Sequence, residues 1–341
     1  MALQVADGGA VGNSYNWGIL GAGHIARKFV RDLRLVPGAQ VVAVGSRDSE
    51  RARQFAHENG IPGAYGSYEE LVADNSIDIV YVASRHVGHY PDTMLALGAG
   101  KAVLCEKPAA MNLQQFECMV ECARRQGCFF MEALWTRFLP SYIRCMELLR
   151  EGAIGRPVLI EADFCMRGRG GADHRQFNPL LGGGSLLDIG IYPLFFCLEA
   201  GGAVRDLRAV ATINEHGIDT NCAVVISHCN GTLSVARSSL LTEGANEAII
   251  RGTDGWVRLN RWWHTPVSID LFVNDAQPRH IEFDEPGGGY QHEAAEVMRC
   301  MDEGRVESLL WPWESSRNLM ATLDRVRELV GLRYSPDIEA V

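Results

Sequence analysis

Between Trp17 and Leu35 the chain passes from a short apolar run, WGIL, through GAGHIA (21–26) into a stretch with Ile25, Phe29 and Leu33 at helical spacing. Few folds accept that succession. A G-x-G-x-x-A motif that follows a strand and opens a helix has a physical reading at each position. Gly21 permits a tight turn, Gly23 lets the backbone approach a pyrophosphate, and Ala26 allows the helix to pack closely on the strand. His24 and Ile25 begin the helix, whose free N–H groups and positive dipole end suit phosphate. The segment predicts a dinucleotide-binding β-α unit.

The alternation continues to about residue 134. Strand-like runs at 41–47, 78–84, 102–108 and 128–134 are separated by helical patterns at 49–60, from Ser67, at 90–100 and at 113–126. Gly60 reads as a helix-ending glycine, and Ser67 with Glu70 as a capping box. Repeated β-α units imply a doubly wound parallel sheet, which binds ligands at the carboxyl ends of its strands.

The chain of 341 residues is too long for one ordinary core. After residue 134 the pattern changes to consecutive strand-like segments joined by short turns such as CNGT and GTDG, which predicts a mostly antiparallel sheet. The expected organisation is a flexible lead-in over 1–14, a dinucleotide-binding domain over 15–134, and a substrate and assembly domain over 135–341. A final helix spans about 314–332. The fold class is α/β.

The second strand distinguishes the cofactors. Where an NAD site usually places an acid for the ribose hydroxyls, this chain reads GSRDSER. Ser46, Arg47 and Arg51 suit a 2′-phosphate, which guanidinium grips in bidentate fashion. Asp48 points the other way. The pattern favours NADP(H) and leaves NAD(H) open.

Two further segments carry chemistry. LCEKP (104–108) places Lys107 at a strand end, where an ammonium orients a hydroxyl and stabilises charge developing on its oxygen. GGGSLLDIGIYPL (182–194) puts Asp188 and Tyr192 four residues apart, hence on one helix face. Ser185 and Asp188 also have the spacing of a helix cap, so a capping reading and a catalytic reading coexist there.

GAGHIA, EKP and GGGSLLDIGIYPL, in this order, resemble the glucose-fructose oxidoreductase/inositol dehydrogenase/rhizopine catabolism family over nearly the whole chain. AYGSYEELVAD, AGKAVLCEKP, MEALWTRF and LDRVRELVGLRY are similar to its dimeric dihydrodiol dehydrogenase and D-xylose dehydrogenase branch. The resemblance implies a Rossmann domain, then an α/β domain whose large open sheet forms a homodimer or higher homo-oligomer, with the last helix packing back on the first domain. It assigns catalysis to Lys107, Asp188 and Tyr192. It places Ser84, His89 and Glu106 near the cofactor, and Trp135 and Arg137 near the substrate. The loop CMRGRGGADHRQFN (165–178), with Arg167 and Asn178 as its substrate candidates, has two readings: Arg167, Arg169, His174 and Arg175 suit a polyhydroxylated or acidic substrate, or the loop is simply solvated. ASRH (83–86) and His292 depart from the family pattern.

The implied reaction is hydride transfer between NADP and a secondary alcohol of a pyranose sugar or a cyclic trans-diol. Tyr192 would exchange the proton, with Lys107 lowering its pKa and Asp188 holding a neighbouring hydroxyl and orienting Lys107. A ketosugar or anhydrosugar reductase and a non-catalytic NADP-binding sensor are the alternatives. With 42 acidic and 32 basic residues the net charge is −10, which argues against nucleic acid or anionic membrane as partner. No basic leader or unbroken membrane-length apolar stretch is evident. The ten scattered cysteines fit a reduced, cytoplasmic protein without a metal site.

Overall fold

The computed structural model describes residues 13–171, 173–274 and 276–341. Of the lead-in expected over 1–14, all but Asn13 and Ser14 lies outside the described residues. The first half runs β1 (Tyr15–Leu20), α1 (His24–Leu33), β2 (Ala39–Gly45), α2 (Ser49–Glu58), β3 (Gly63–Tyr65), α3 (Tyr68–Val72), β4 (Ile79–Val82), α4 (His86–Gly98), β5 (Ala102–Glu106), α5 (Leu113–Gln126) and β6 (Phe130–Ala133). The strands pair in parallel in the order β3-β2-β1-β4-β5-β6. Every residue of β4 and β5 is buried, as expected where helices cover both faces. The strand order reverses between β1 and β4, which opens a crevice at their carboxyl ends.

Local signals explain most boundaries. Ser67 caps α3, its Oγ accepting from Glu70 N at 3.1 Å. Gly60, with φ 57, follows α2. The helix expected over 90–100 starts a turn earlier, at His86. Pro91, which suits a first turn, lies inside it, so the carbonyl one turn before gets no N–H from that position. The three-residue β3 is too short and too glycine-led to be legible in advance.

The second half opens with a 3-10 turn (Trp135–Phe138), then α6 (Pro140–Arg150), β7 (Pro157–Cys165), a π-turn (Leu186–Gly190) and α7 (Ile191–Gly201). Seven strands follow: β8 (Val204–Ile213), β9 (Asp219–His228), β10 (Leu233–Ser239), β11 (Ala248–Gly252), β12 (Gly255–Leu259), β13 (Ile269–Val273) and β14 (Arg279–Ile281). The eight-stranded sheet has the order β14-β13-β12-β11-β7-β10-β9-β8. Only β7 and β10 pair in parallel. The open, mostly antiparallel sheet is as expected.

The segment Pro179–Gly201 reaches a mean hydropathy of 1.5, enough by length and composition to cross a membrane. A search for an unbroken apolar stretch overlooks it because glycine, serine and Asp188 interrupt it. Here 89% of that window is buried, and α7 packs against the inner face of β7 and β10 as core.

Three helices close the structure, α8 (Tyr290–Asp302), α9 (Trp313–Val330) and the short α10 (Pro336–Glu339). The glycines before Tyr290 offer no capping side chain. Asp32 at the end of α1 supplies one instead, its Oδ2 accepting from Gly288 N at 2.8 Å and Tyr290 N at 3.3 Å. Helix α9 lies back against α5 and β6. Trp313 Nε1 donates to Phe130 O at 2.8 Å, and Asp324 accepts from Leu113 N at 2.8 Å.

Candidate active site

The glycine-rich turn sits at the mouth of the crevice. Gly21 has φ 104, and a Cβ there would lie 2.7 Å from Ala83 O, so this position admits glycine alone. A Cβ on Gly23 would meet nothing within 4 Å. The first turn of α1 carries no side-chain cap, which leaves its N–H groups facing that open space. Ala26 is fully buried beneath. This cradle fits the pyrophosphate of a dinucleotide. His24 stands at its edge, and burial followed by Lys28 and Arg27 lowers its pKa.

Asp48 caps α2, accepting from Glu50 N at 3.0 Å and Arg51 N at 3.2 Å. Its carboxylate is therefore committed to the helix. Arg51 turns back to the glycine-rich turn and donates to Ala22 O at 3.0 Å. Arg47 is exposed, and the Ser46 hydroxyl accepts from Asp48 N at 3.3 Å.

Lys107 emerges from the end of β5 into contact with the π-turn. Its Nζ donates to the Asp188 carbonyl at 2.6 Å and lies 3.7 Å from Asp188 Oδ1. The same ammonium stands over the Tyr192 ring, 5.1 Å from its centroid. Tyr192 Oη accepts from Trp135 Nε1 at 2.8 Å. The three expected groups thus meet, joined by Trp135.

Asp188 is buried but well supplied with partners. Arg175 Nη1 reaches Oδ1 at 2.9 Å, and Gln176 Nε2 reaches Oδ2 at 3.1 Å. Burial works against its charge, yet Lys107 and Arg175 outweigh it and hold the carboxyl well below the ordinary range. Burial lowers the pKa of Lys107, while Asp188 and Glu106 push it back up. The Tyr192 phenol moves the other way. Burial, then Glu106, pushes it well above its usual value, while the Trp135 N–H pulls it down. The expected lowering by Lys107 is not the outcome here, because the ammonium lies over the ring face and the oxygen faces the indole.

The capping reading of Ser185 is corrected. Ser185 has helical backbone and makes no cap. Its hydroxyl donates to Asp219 Oδ2 at 2.6 Å, and the same oxygen accepts from Leu186 N at 2.7 Å. Asp219 of β9 therefore caps this helix from a distance.

The remaining expected residues divide. His89 is buried, its Nδ1 2.7 Å from Pro108 O, and so ties α4 to the turn after Lys107. Glu106 accepts from the Tyr81 hydroxyl and, at 3.2 Å, from Lys107 N. The Ser84 hydroxyl is buried without a partner among the described residues. Arg137 turns away from the cluster, its guanidinium over Tyr142 and 3.9 Å from Glu199. Asn178 caps a local 3-10 turn through Leu180 N at 2.9 Å. Arg167 is exposed on the loop after β7. His292 pairs with Glu285 at 2.9 Å.

Sequence reasoning missed several groups. His86, visible in the sequence only as the end of the departing ASRH, reaches Asp188 Oδ1 at 3.7 Å, and burial lowers its pKa to about 3. Tyr290 stacks on Trp135 with centroids 4.3 Å apart. His264 and Phe164 stack at 4.0 Å beside Tyr192. No local pattern announces these contacts, which join segments far apart in the chain.

Residues 15–134 match the family model for the oxidoreductase family with NAD-binding Rossmann fold, and residues 142–258 match the GFO/IDH/MocA C-terminal domain. A trans-1,2-dihydrobenzene-1,2-diol dehydrogenase of Danio rerio is 38% identical over 332 residues, covering 94% of this chain and 98% of the relative. The Homo sapiens protein of that name is 35% identical over 334 residues, with the same coverage. Among solved structures, KijD10, a 3-ketoreductase from Actinomadura kijaniata in complex with NADP and TDP-benzene, superposes with a TM-score of 0.83 at 26% identity, covering 93% of this chain and 98% of that one. An aldose-aldose oxidoreductase from Caulobacter crescentus shares the fold, with a TM-score of 0.86 at 22% identity over 94% of this chain and 98% of its own.

Proposed function

The chain belongs to the Gfo/Idh/MocA family of NAD(P)-dependent oxidoreductases acting on CH–OH groups, and on that premise we propose that it transfers hydride between NADP and a secondary alcohol of a cyclic trans-diol or a pyranose sugar. The observation that carries this reading is the meeting of Lys107, Asp188, Tyr192 and Trp135 at the cofactor edge of the parallel sheet. The dihydrodiol dehydrogenase relatives support the diol as substrate.

The nicotinamide, when bound, supplies or accepts the hydride. The chain's own groups manage the proton. Tyr192 is the proton donor when a carbonyl is reduced and the acceptor when an alcohol is oxidised. Trp135 Nε1 occupies one face of its oxygen, which leaves the phenolic hydrogen free to point at substrate. Lys107 faces the charge that develops on the reacting oxygen. Asp188 orients Lys107. Its two oxygens already accept from Arg175 and Gln176, which supports an orienting role over the substrate-binding one expected from sequence.

A second reading has a specific observation behind it. The raised phenol pKa keeps Tyr192 protonated, poised to act as an acid. That suits Tyr192 to the proton-donor role in NADPH-dependent reduction of a carbonyl.

Arg47 and Arg51 beside the glycine-rich turn, with Asp48 committed to α2, support NADP over NAD. The outward face of the eight-stranded sheet exposes Val210 and Val225, which supports a homodimer through that face. All ten cysteines are free and eight are buried, which supports a cytoplasmic location.

Initial rates of nicotinamide oxidation and reduction with cyclic trans-diols, pyranoses, ketosugars and dicarbonyls test the reading. Turnover linked to NADP(H) with one of these classes is expected. Tight NADPH binding without turnover of any of them would overturn it.

A further inference from the structure

His264 stands in the wall of the site with no task among the groups assigned above. It sits in the connection between β12 and β13, a connection built with some care. Trp262 holds a left-handed backbone, φ 64, unusual for an aromatic residue, and its N–H donates to Asn246 O at 2.8 Å. The His264 carbonyl accepts from Thr136 Oγ1 at 2.8 Å, one residue past Trp135.

The imidazole faces aromatic side chains. It lies 4.0 Å from the Phe164 ring, nearly parallel to it, and 5.2 Å from the Tyr192 ring. The edges of Trp135 and Trp262 approach at 6.3 and 6.1 Å. Within this wall the ring makes no hydrogen bond to any described residue, and Nδ1 is enclosed without a partner. A buried polar group left unpaired costs about 1–3 kcal/mol, so packing alone favours phenylalanine here. Asp188, expected from sequence to hold a neighbouring hydroxyl, has both oxygens engaged.

We propose that His264 hydrogen-bonds the hydroxyl next to the reacting carbon, so that the site selects a vicinal diol over the corresponding mono-alcohol. This rests on the functional reading above and narrows its substrate class. Burial, with Lys107 and Lys28 acting in the same sense, lowers the imidazole pKa to about 3. The ring therefore stays neutral through the working range and keeps one N–H and one lone pair. A site built to bond a substrate hydroxyl rejects the analogue that lacks it, because its own polar group is then left buried and unpaired.

The test compares trans-1,2-cyclohexanediol with cyclohexanol, using NADP and the full-length protein. For the wild type, kcat/KM for the diol should exceed that for the mono-alcohol by on the order of a hundredfold or more. In His264→Phe this ratio should fall by about tenfold or more, mainly through a higher KM for the diol. His264→Gln, which keeps an amide in the cage, should recover part of the ratio. Equal ratios in the wild type and His264→Phe would overturn the proposal while leaving the functional reading intact. Absence of wild-type turnover with every diol, sugar and carbonyl class would instead defeat that reading. Should His264→Phe fail to fold, the imidazole ¹⁵N shifts of the NADPH-loaded wild type decide. They should move on saturation with the diol and not with cyclohexanol, and equal responses to the two would contradict the proposal.

Discussion

Trp135 Nε1 donates to Tyr192 Oη at 2.8 Å, across 57 residues of sequence. The indole is held by its stack on Tyr290, and Tyr290 sits at the start of a helix whose cap comes from Asp32 on the cofactor-binding helix. One chain of contacts thus links α1 to the phenol proposed to exchange the proton. Trp135→Phe keeps the stack and removes the donor. Because the indole N–H lowers the phenol pKa, the variant's phenol should titrate higher still. Its alcohol-oxidation rate should fall below the wild type's throughout, because less phenolate is present at each pH, while carbonyl reduction should change little. Initial rates from pH 6 to 10 in both directions check this.

Arg47 is exposed beside the cradle, free to meet a 2′-phosphate. Arg47→Ala should raise KM for NADP by roughly 10- to 100-fold, the value of a charge-assisted hydrogen bond. The KM for NAD should change less than about threefold. Steady-state kinetics with both cofactors reads the difference, and a parallel loss with both would remove Arg47 from phosphate recognition.

Glu132 is buried at the end of β6 and gathers three donors. Ala109 N reaches Oε1 at 3.0 Å, and Ser316 Oγ and Trp311 Nε1 reach Oε2 at 2.7 and 3.4 Å. It ties the turn after Lys107 to α9. Glu132→Ala orphans those donors and should destabilise the fold by about 2–4 kcal/mol. Urea melts measure that loss.

Asp219 adds a pH dependence with a definite sign. Burial pushes its carboxyl up to about 6, against hydrogen bonds from Ser185 and Leu186. An unfolded aspartate titrates near about 3.9. The folded protein therefore binds the extra proton, and this group's contribution is complete below about 3.9 and lost as pH rises through about 6. Asp219→Asn should lose less stability than the wild type between pH 4 and 7. Thermal melts across that range test the slope, and parallel slopes would refute the assignment.

The sequence carried the local half of this architecture. GAGHIA, the strand ending in EKP, and Asp188 with Tyr192 were legible because turn chemistry, strand ends and helical spacing are properties of neighbours. The caps supplied by Asp219 to Leu186 and by Asp32 to Gly288 were not, since they span 33 and 256 residues. The same holds for Arg175 and Gln176 on Asp188: the basic loop was visible, but which guanidinium would reach the carboxylate depends on how β7 and the π-turn pack. Ser185 misled for the complementary reason. Its spacing to Asp188 fits a cap, but buried Asp219 offers Leu186 N–H a charged acceptor that a hydroxyl does not match.

The most direct measurement is the initial rate of Tyr192→Phe beside the wild type, with NADP and the preferred alcohol, together with a fluorescence titration of NADPH. Loss of the phenolic proton should reduce kcat by about 100-fold or more and leave NADPH affinity within about twofold. Wild-type turnover in Tyr192→Phe would contradict the account, because some other group would then be exchanging the proton.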